Sequence, residues 1–240
     1  MSTEGMSGIL AIETSTDACS VATVIDGKIN ERYELAPRQH NQILFGMLDD
    51  LLPHGNLAQQ GIAAIAYGAG PGSFTGLRIA ASAVQGLAFA CNLPAIAVST
   101  LAVLAQGALR QGLVNETSSV LCTLDARINE VYAAVFGFQD GLAYCTQGPW
   151  VCSPADLPVT PTEGLQVVGS GGSFSDQFPD SLRDCMVTNN TQLMPAAQDV
   201  IPLALAKLDA GEIQEAAAAQ PVYLRDEISW KKLSEQGKRG

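Results

Sequence analysis

Residues 68–78, "GAGPGSFTGLR", join the apolar run "IAAIAY" at 62–67 to the helical pattern "GLRIAASAVQGLAFA" at 76–90. An apolar run, a glycine-rich loop and a helix in that order form the βα unit of a sheet with helices on its faces. Glycines at 68, 70, 72 and 76 permit positive φ and close backbone approach, and the helix that follows offers N–H groups and a positive dipole end to an anion. The chemistry of a working phosphate loop is missing: no G-x-x-x-x-G-K-[ST] occurs, and G-x-G-x-x-G fails at every register. Two readings stay open. Gly70, Gly72, Ser73 and Thr75 are the remains of a nucleotide or anion loop, or the stretch is a tight structural turn.

Upstream, "ILAIE" (9–13), "ACSVATVI" (18–25) and "KINERYEL" (28–35) read as three antiparallel strands, the last two joined by an Asp26-Gly27 hairpin turn. "HNQILFGMLDDLL" (40–52) repeats apolar residues at helical spacing. Downstream come a strand at 95–98 and a helix at 101–111, with Ser99 and Thr100 as N-caps. The order βββαβαβα predicts a mixed sheet with right-handed crossovers. From residue 119, "SVLCTL", "VYAAVF" and "LAYCT", separated by turns, repeat the opening meander; a strand at 165–169 and a helix near 196–210 follow. Two similar halves are implied, the second reduced.

Hydrophobic residues make up 47% of the 240-residue chain and charged residues 15%, so apolar surface is expected to remain for a protein partner. A net charge of −11 opposes phosphate-dominated binding to nucleic acid by the body of the protein. The local exception is the basic terminus with Lys231, Lys232, Lys238 and Arg239. Six cysteines without a CxxC pair read as reduced thiols, and the start "MSTEGMSG" lacks signal-peptide features. A soluble cytoplasmic protein without a membrane span is expected.

Candidate chemistry is sparse. "IETSTDACS" places Glu13, Thr14, Ser15, Thr16 and Asp17 at a strand end, suited to a phosphate-binding hairpin with Asp17 holding Mg²⁺ through water, or to an ordinary polar turn. Asp125 and Arg127 in the matching hairpin of the second half complete a nucleotide cleft or pair with each other. His40 and His54 are too far apart to share a helix face, and Leu44 stands one turn after His40, so a metal pair is unsupported. No G-x-S-x-G elbow occurs, since "GGSFS" ends in Ser175. What remains is surface: Ser82, Gly86 and Ala90 at four-residue spacing admit another helix, and helix 40–52 carries an apolar stripe that serves either its own core or a partner.

Five segments carry a family resemblance: "ILAIETSTDACSVA", "AYGAGPGSFTGLRIA" with "QGLA", "VSTL", "LDAR" with "EVY", and the closing "PVYLR" with "SWKK". Together, over about 9–232 and in order, they resemble the TsaB (formerly YeaZ) family, the bacterial dimerization subunits of the tRNA threonylcarbamoyladenosine (t6A) machinery. The resemblance implies an α/β fold of the actin-like ATPase class (sugar kinase, Hsp70, actin): two RNase H-like lobes, each a mixed five-stranded βββαβα sheet flanked by helices. The expected layout is an N-terminal extension at 1–8, a first lobe at 9–111, a second at 112–224 and a basic tail at 225–240.

The resemblance also implies a non-catalytic scaffold, without cofactor or metal. It would bind the catalytic paralogue TsaD, which transfers threonylcarbamoyl from threonylcarbamoyl-AMP to N6 of adenosine 37 in tRNAs reading ANN codons. TsaE, an ATPase, and tRNA would be reached through the complex, and the free chain would pair as a homodimer. The catalytic paralogue carries an HxxxH metal motif where this chain has His40 and Leu44. Pairing would use the first two helices, with Ile43, Leu44, Met47, Leu48 and Leu51 on one and Ile79, Ala83 and Leu87 on the other. The competing reading is an enzyme, either a nucleotide-hydrolysing actin-like protein using Glu13, Asp17 and Asp125 or a glycoprotease-like peptidase.

Overall fold

β1 (Gly8–Glu13) is apolar at nearly every position and wholly buried, the signature of a central strand covered on both faces. β2 (Ala18–Ile25) pairs with it antiparallel and β3 (Lys28–Leu35) follows through a two-residue turn. Asp26 and Gly27 both adopt positive φ, at 50° and 75°, the backbone that an Asp-Gly hairpin supplies at low cost. The structure, a computed structural model, describes residues 8–52 and 57–224. His54 and the basic tail expected at 225–240 therefore lie outside the described residues.

After α1 (His40–Leu51) the chain enters β4 (Ile62–Gly70), parallel to β1, then α2 (Phe74–Cys91), β5 (Ala95–Ser99) and α3 (Thr100–Arg110). The first sheet has the order β3-β2-β1-β4-β5. The second half repeats it. β6 (Val120–Arg127), β7 (Glu130–Gln139), β8 (Leu142–Cys152), β9 (Leu165–Val168) and β10 (Met186–Asn190) form a sheet ordered β10-β9-β6-β7-β8, the same topology element for element. An Asp140-Gly141 turn with positive φ closes the β7–β8 hairpin as Asp26-Gly27 closes β2–β3. The duplication expected from the sequence is present, as is the reduction. Where the first lobe has the 18-residue α2, the second has a 3₁₀ segment (Ser170–Gln177) and the four-residue α4 (Asp180–Arg183).

α5 (Ala197–Asp209) and α3 lie between the two sheets. Ile9, Ala11 and Ala22 of the first sheet pack there with Leu101, Leu104, Val200 and Ala204, and so do Val120, Cys122 and Phe136 of the second sheet. α1 and α2 cover the other face of the first sheet, over Leu10, Ile12, Val21, Ile65 and Tyr67. The outer face of the second sheet packs Leu121, Val131 and Val135 against Phe178 and Leu182.

The sequence places residues 112–224 in a second lobe, but the chain crosses back after β10. α5 is tied to the first lobe by the Ala197 N–H donating to Ser20 Oγ at 2.8 Å and by Gln198 N–H donating to Glu31 Oε1 at 2.9 Å. Arg110 of α3 donates to both oxygens of the buried Asp199, at 2.6 and 3.0 Å. Residues 214–222 then run along the edge of the first sheet. Replacing Ser20 by Ala leaves the buried Ala197 N–H without its acceptor. The expected cost is about 1–3 kcal/mol of unfolding free energy, read as a lower urea midpoint at unchanged m-value.

Candidate docking face and the packed glycine loop

β4 does not stop at Tyr67 as its apolar run implies. It continues through the small residues Gly68, Ala69 and Gly70, pairing with Val98 and Ser99 of β5, and α2 starts at Phe74, two residues earlier than its periodicity predicts. The loop proper is residues 71–73. Its glycines are filled by the chain itself: a Cβ on Gly72 would stand 2.6 Å from Ser15 O, and one on Gly70, at φ +127°, would stand 2.5 Å from Val222 O. Ser73 N–H donates to Ser15 O at 2.7 Å, Gly76 N–H donates to Ser73 Oγ at 3.3 Å, and Thr14 Oγ1–H donates to Gly76 O at 2.8 Å. Thus the 14–15 hairpin is seated in the hollow where a phosphate would approach, while Ser73 and Thr75 stay exposed.

The other polar candidates do not converge. Glu13 is fully buried against Gly68, with Oε1 accepting the Ser15 N–H at 2.6 Å and Oε2 without a partner. Burial pushes its carboxyl above the ordinary 4.5, and hydrogen bonds from Ser15 pull it only part of the way back. Asp17 is exposed. Asp125 accepts the Arg127 N–H at 2.7 Å and lies 3.4 Å from its guanidinium, the local pairing that the sequence left open. His40 is buried with Nε2 2.9 Å from Thr16 O and 3.2 Å from Ala18 O, so it donates to the hairpin it follows. Among the described residues no group of three or more His, Cys, Asp or Glu is placed to hold a metal ion.

The two outer helices carry the remaining candidate surface. Both start at the same end of the sheet, because β3 and β4 run in the same direction, and they pack side by side. The apolar stripe expected on the partner side faces the lobe's own sheet: Leu44, Met47, Leu48 and Ala83 are buried in the core beneath. Those four side chains pack on the strands of their own sheet. Ile43, Leu51, Ile79 and Leu87 lie half-buried along the flanks.

The outward side is a different set. Phe45 is 56% exposed and Phe89 83% exposed. Gly46 and Gly86 have nothing within 4 Å of a would-be Cβ, and Ser82 and Ala90 are exposed beside them. The small-residue row foreseen from the sequence is on this side, but the two aromatics were not foreseen. Each stands alone outside the apolar period, which is the signal that would have found them. α2 is also long and apolar enough to cross a bilayer, with mean hydropathy 1.3 over 18 residues, yet its inner side is packed on β4.

With this geometry in hand, residues 28–226 match the family described as TsaD, tRNA N6-adenosine threonylcarbamoyltransferase. The tRNA threonylcarbamoyladenosine biosynthesis protein TsaB of Escherichia coli K12 is 38% identical over 234 residues, covering 94% of this chain and 97% of that protein. The chain belongs to the TsaB family. Its TsaB relative in Haemophilus influenzae is 35% identical, with 94% and 96% covered. The solved YeaZ structure from Pseudomonas aeruginosa superposes with a TM-score of 0.83 at 40% identity, over 91% of this chain and all of that one. This TsaB-family chain is a subunit of t6A biosynthesis built on two mixed five-stranded sheets of the same topology.

Neighbouring residues on α1 test which side of the TsaB-family helix is inward. Leu44→Ala is expected to cost about 2–5 kcal/mol by opening a cavity; Phe45→Ala, next in sequence but outward, is expected within about 0.5 kcal/mol of the parent. Chemical denaturation of both variants reads the contrast. Glu13 supplies a second check. Its folded carboxyl holds a proton at pH values where the unfolded chain has released it, so its contribution to stability falls as pH rises above about 4.5. The decline is expected to be shallower in Glu13→Gln than in the parent.

Proposed function

We propose that this chain is the non-catalytic scaffold of threonylcarbamoyl transfer to adenosine 37 of tRNA. Its α1–α2 face would be covered by a transferase of the TsaD type or, in the free protein, by a second copy. The observation that carries the reading is the outward side of those helices: exposed Phe45 and Gly46 on α1, and on α2 exposed Phe89 with a row of Ser82, Gly86 and Ala90 that lets another helix come close. Burying what remains exposed of both rings is worth about 2–4 kcal/mol, taking roughly 1.5–3 kcal/mol for a whole ring. Association costs about 4–15 kcal/mol, so the half-buried flank of Ile43, Leu51, Ile79 and Leu87 must close as well.

The scaffold reading is supported by what fills the candidate sites among the described residues. The position one turn after His40 is Leu44, a core residue, the glycine loop is occupied by its own hairpin, and Asp125 is engaged with Arg127. TsaE and tRNA are then reached through the complex, without cofactor or membrane, in the cytoplasm. This reading is tested by co-elution of the Phe45→Glu/Phe89→Glu double variant with the TsaD-type transferase of the same organism. Loss of the complex at an unchanged thermal midpoint, with loss of threonylcarbamoyl transfer in the reconstituted system, is expected. An intact complex refutes the docking face, and transfer by the parent chain alone refutes the scaffold role.

A further inference from the structure

Residues 212–224 lie along the first lobe as a strap. Gln214 exchanges both backbone hydrogen bonds with Ala95, at 2.8 and 2.9 Å. Gln85 of α2 donates to Ala219 O at 2.7 Å, Tyr67 donates to Gln220 O at 3.0 Å, and Val222 N–H donates to Ala69 O at 2.7 Å. Ala219 is wholly buried, and only a glycine at 70 leaves room for Val222 O. The strap therefore holds a fixed course up to the N-terminal end of α2.

What it delivers there is Tyr223. The Tyr223 hydroxyl accepts from Arg78 Nε at 3.1 Å, the Arg78 guanidinium lies 3.8 Å above the centre of the Phe74 ring, and the two rings stand 5.3 Å apart. Phe74 is 53% and Tyr223 43% exposed. The guanidinium is thus held between an aromatic face and a phenol, with its Nε occupied, on an exposed residue. That is a preorganised fork for a carboxylate.

Two features mark Arg78. Arg32, Arg110, Arg127, Arg183 and Lys207 each lie within 4 Å of a carboxylate, whereas the partners of Arg78 among the described residues are a phenol and an aromatic ring. It also stands near the N-terminal end of a helix whose first turn has no acidic residue, where the dipole opposes a cation. Among the described residues no carboxylate pairs with this charge, which leaves the guanidinium open to a partner's negative group.

We propose that the strap and α2 together build a carboxylate receptor at the rim of the docking face, in which Tyr223 and Phe74 position Arg78 to grip an acidic side chain of the protein partner. This rests on the docking reading above and deepens it, because the ridge continues the exposed side of α2 that carries Ser82, Gly86 and Phe89. A protein carboxylate is favoured over an RNA phosphate by the chain's net charge of −11, which opposes a long polyanion more than a single carboxylate on a protein.

The test is titration calorimetry of the full chain with the TsaD-type transferase at low and high salt, together with filter retention of tRNA. Arg78→Glu is expected to weaken association about tenfold or more, and Arg78→Lys, which keeps charge but loses the fork, to weaken it by several-fold. Tyr223→Phe should fall between Lys and the parent, and the salt dependence of the parent should be lost in Arg78→Ala. Thermal midpoints should stay unchanged, since the group is exposed. Unchanged affinity in Arg78→Glu overturns the proposal, and so does an effect on tRNA retention with protein affinity intact. Phe45→Glu in the same titration separates the two ideas: if it abolishes binding while Arg78→Glu does not, the docking face stands and the receptor falls. If neither changes binding, both fall.

Discussion

The central strand β1 is buried on both faces, and most of the architecture answers to that. Leu10 and Ile12 point to one side of the first sheet, Ile9 and Ala11 to the other. Each side needs a helical cover. On the inner side α3 and α5 serve two sheets at once, so their own surfaces are spent between the lobes. On the outer side α1 and α2 cover the sheet, and apart from the strap along α2 their backs are exposed among the described residues. A lobe of this kind has an unpartnered layer by construction, and composition decides what kind of surface it becomes. Here it carries two phenylalanines and a row of small residues alongside the exposed Asn41, Gln42, Asp49 and Asp50.

The same closeness of packing removes chemistry. In the hollow between β1 and β4, glycines give the room, and backbone and side chains of the chain take it up: Ser15 at Gly72, Glu13 at Gly68, Val222 at Gly70. Burial pushes the Glu13 carboxyl above its ordinary range, and its Oε1 is taken up by the Ser15 N–H. The loop is therefore part of the frame that orients α2, and through Gly70 it also sets the path of the strap.

Much of this was legible in the residues. The meander with its Asp-Gly turn, the βα unit around residues 68–78 and the weaker second copy all appear, because local turn chemistry and apolar periods report on backbone shape. Direction is what they do not report. The stripe of Leu44, Met47 and Leu48 marks a face without saying which way it looks, and the packing turned it inward. The end of β4 was hidden because Gly68 and Gly70 carry no side chains to alternate. β10, "MVTNN", was hidden because an edge strand with exposed polar residues lacks any apolar period. The return of α5 to the first lobe depends on pairings 167 to 177 residues apart, Glu31 with Gln198 and Ser20 with Ala197, which no window of sequence displays.

Side-chain footprinting with hydroxyl radicals, on the free chain at a concentration too low for self-association and on its complex with the TsaD-type transferase, reads the unpartnered layer directly. The account predicts that Phe45 and Phe89 are oxidised readily in the free chain and protected in the complex, while Tyr144, 49% exposed on the second sheet, reacts equally in both. Protection of Tyr144 with Phe45 and Phe89 unchanged would place the partner on the other lobe and contradict the account.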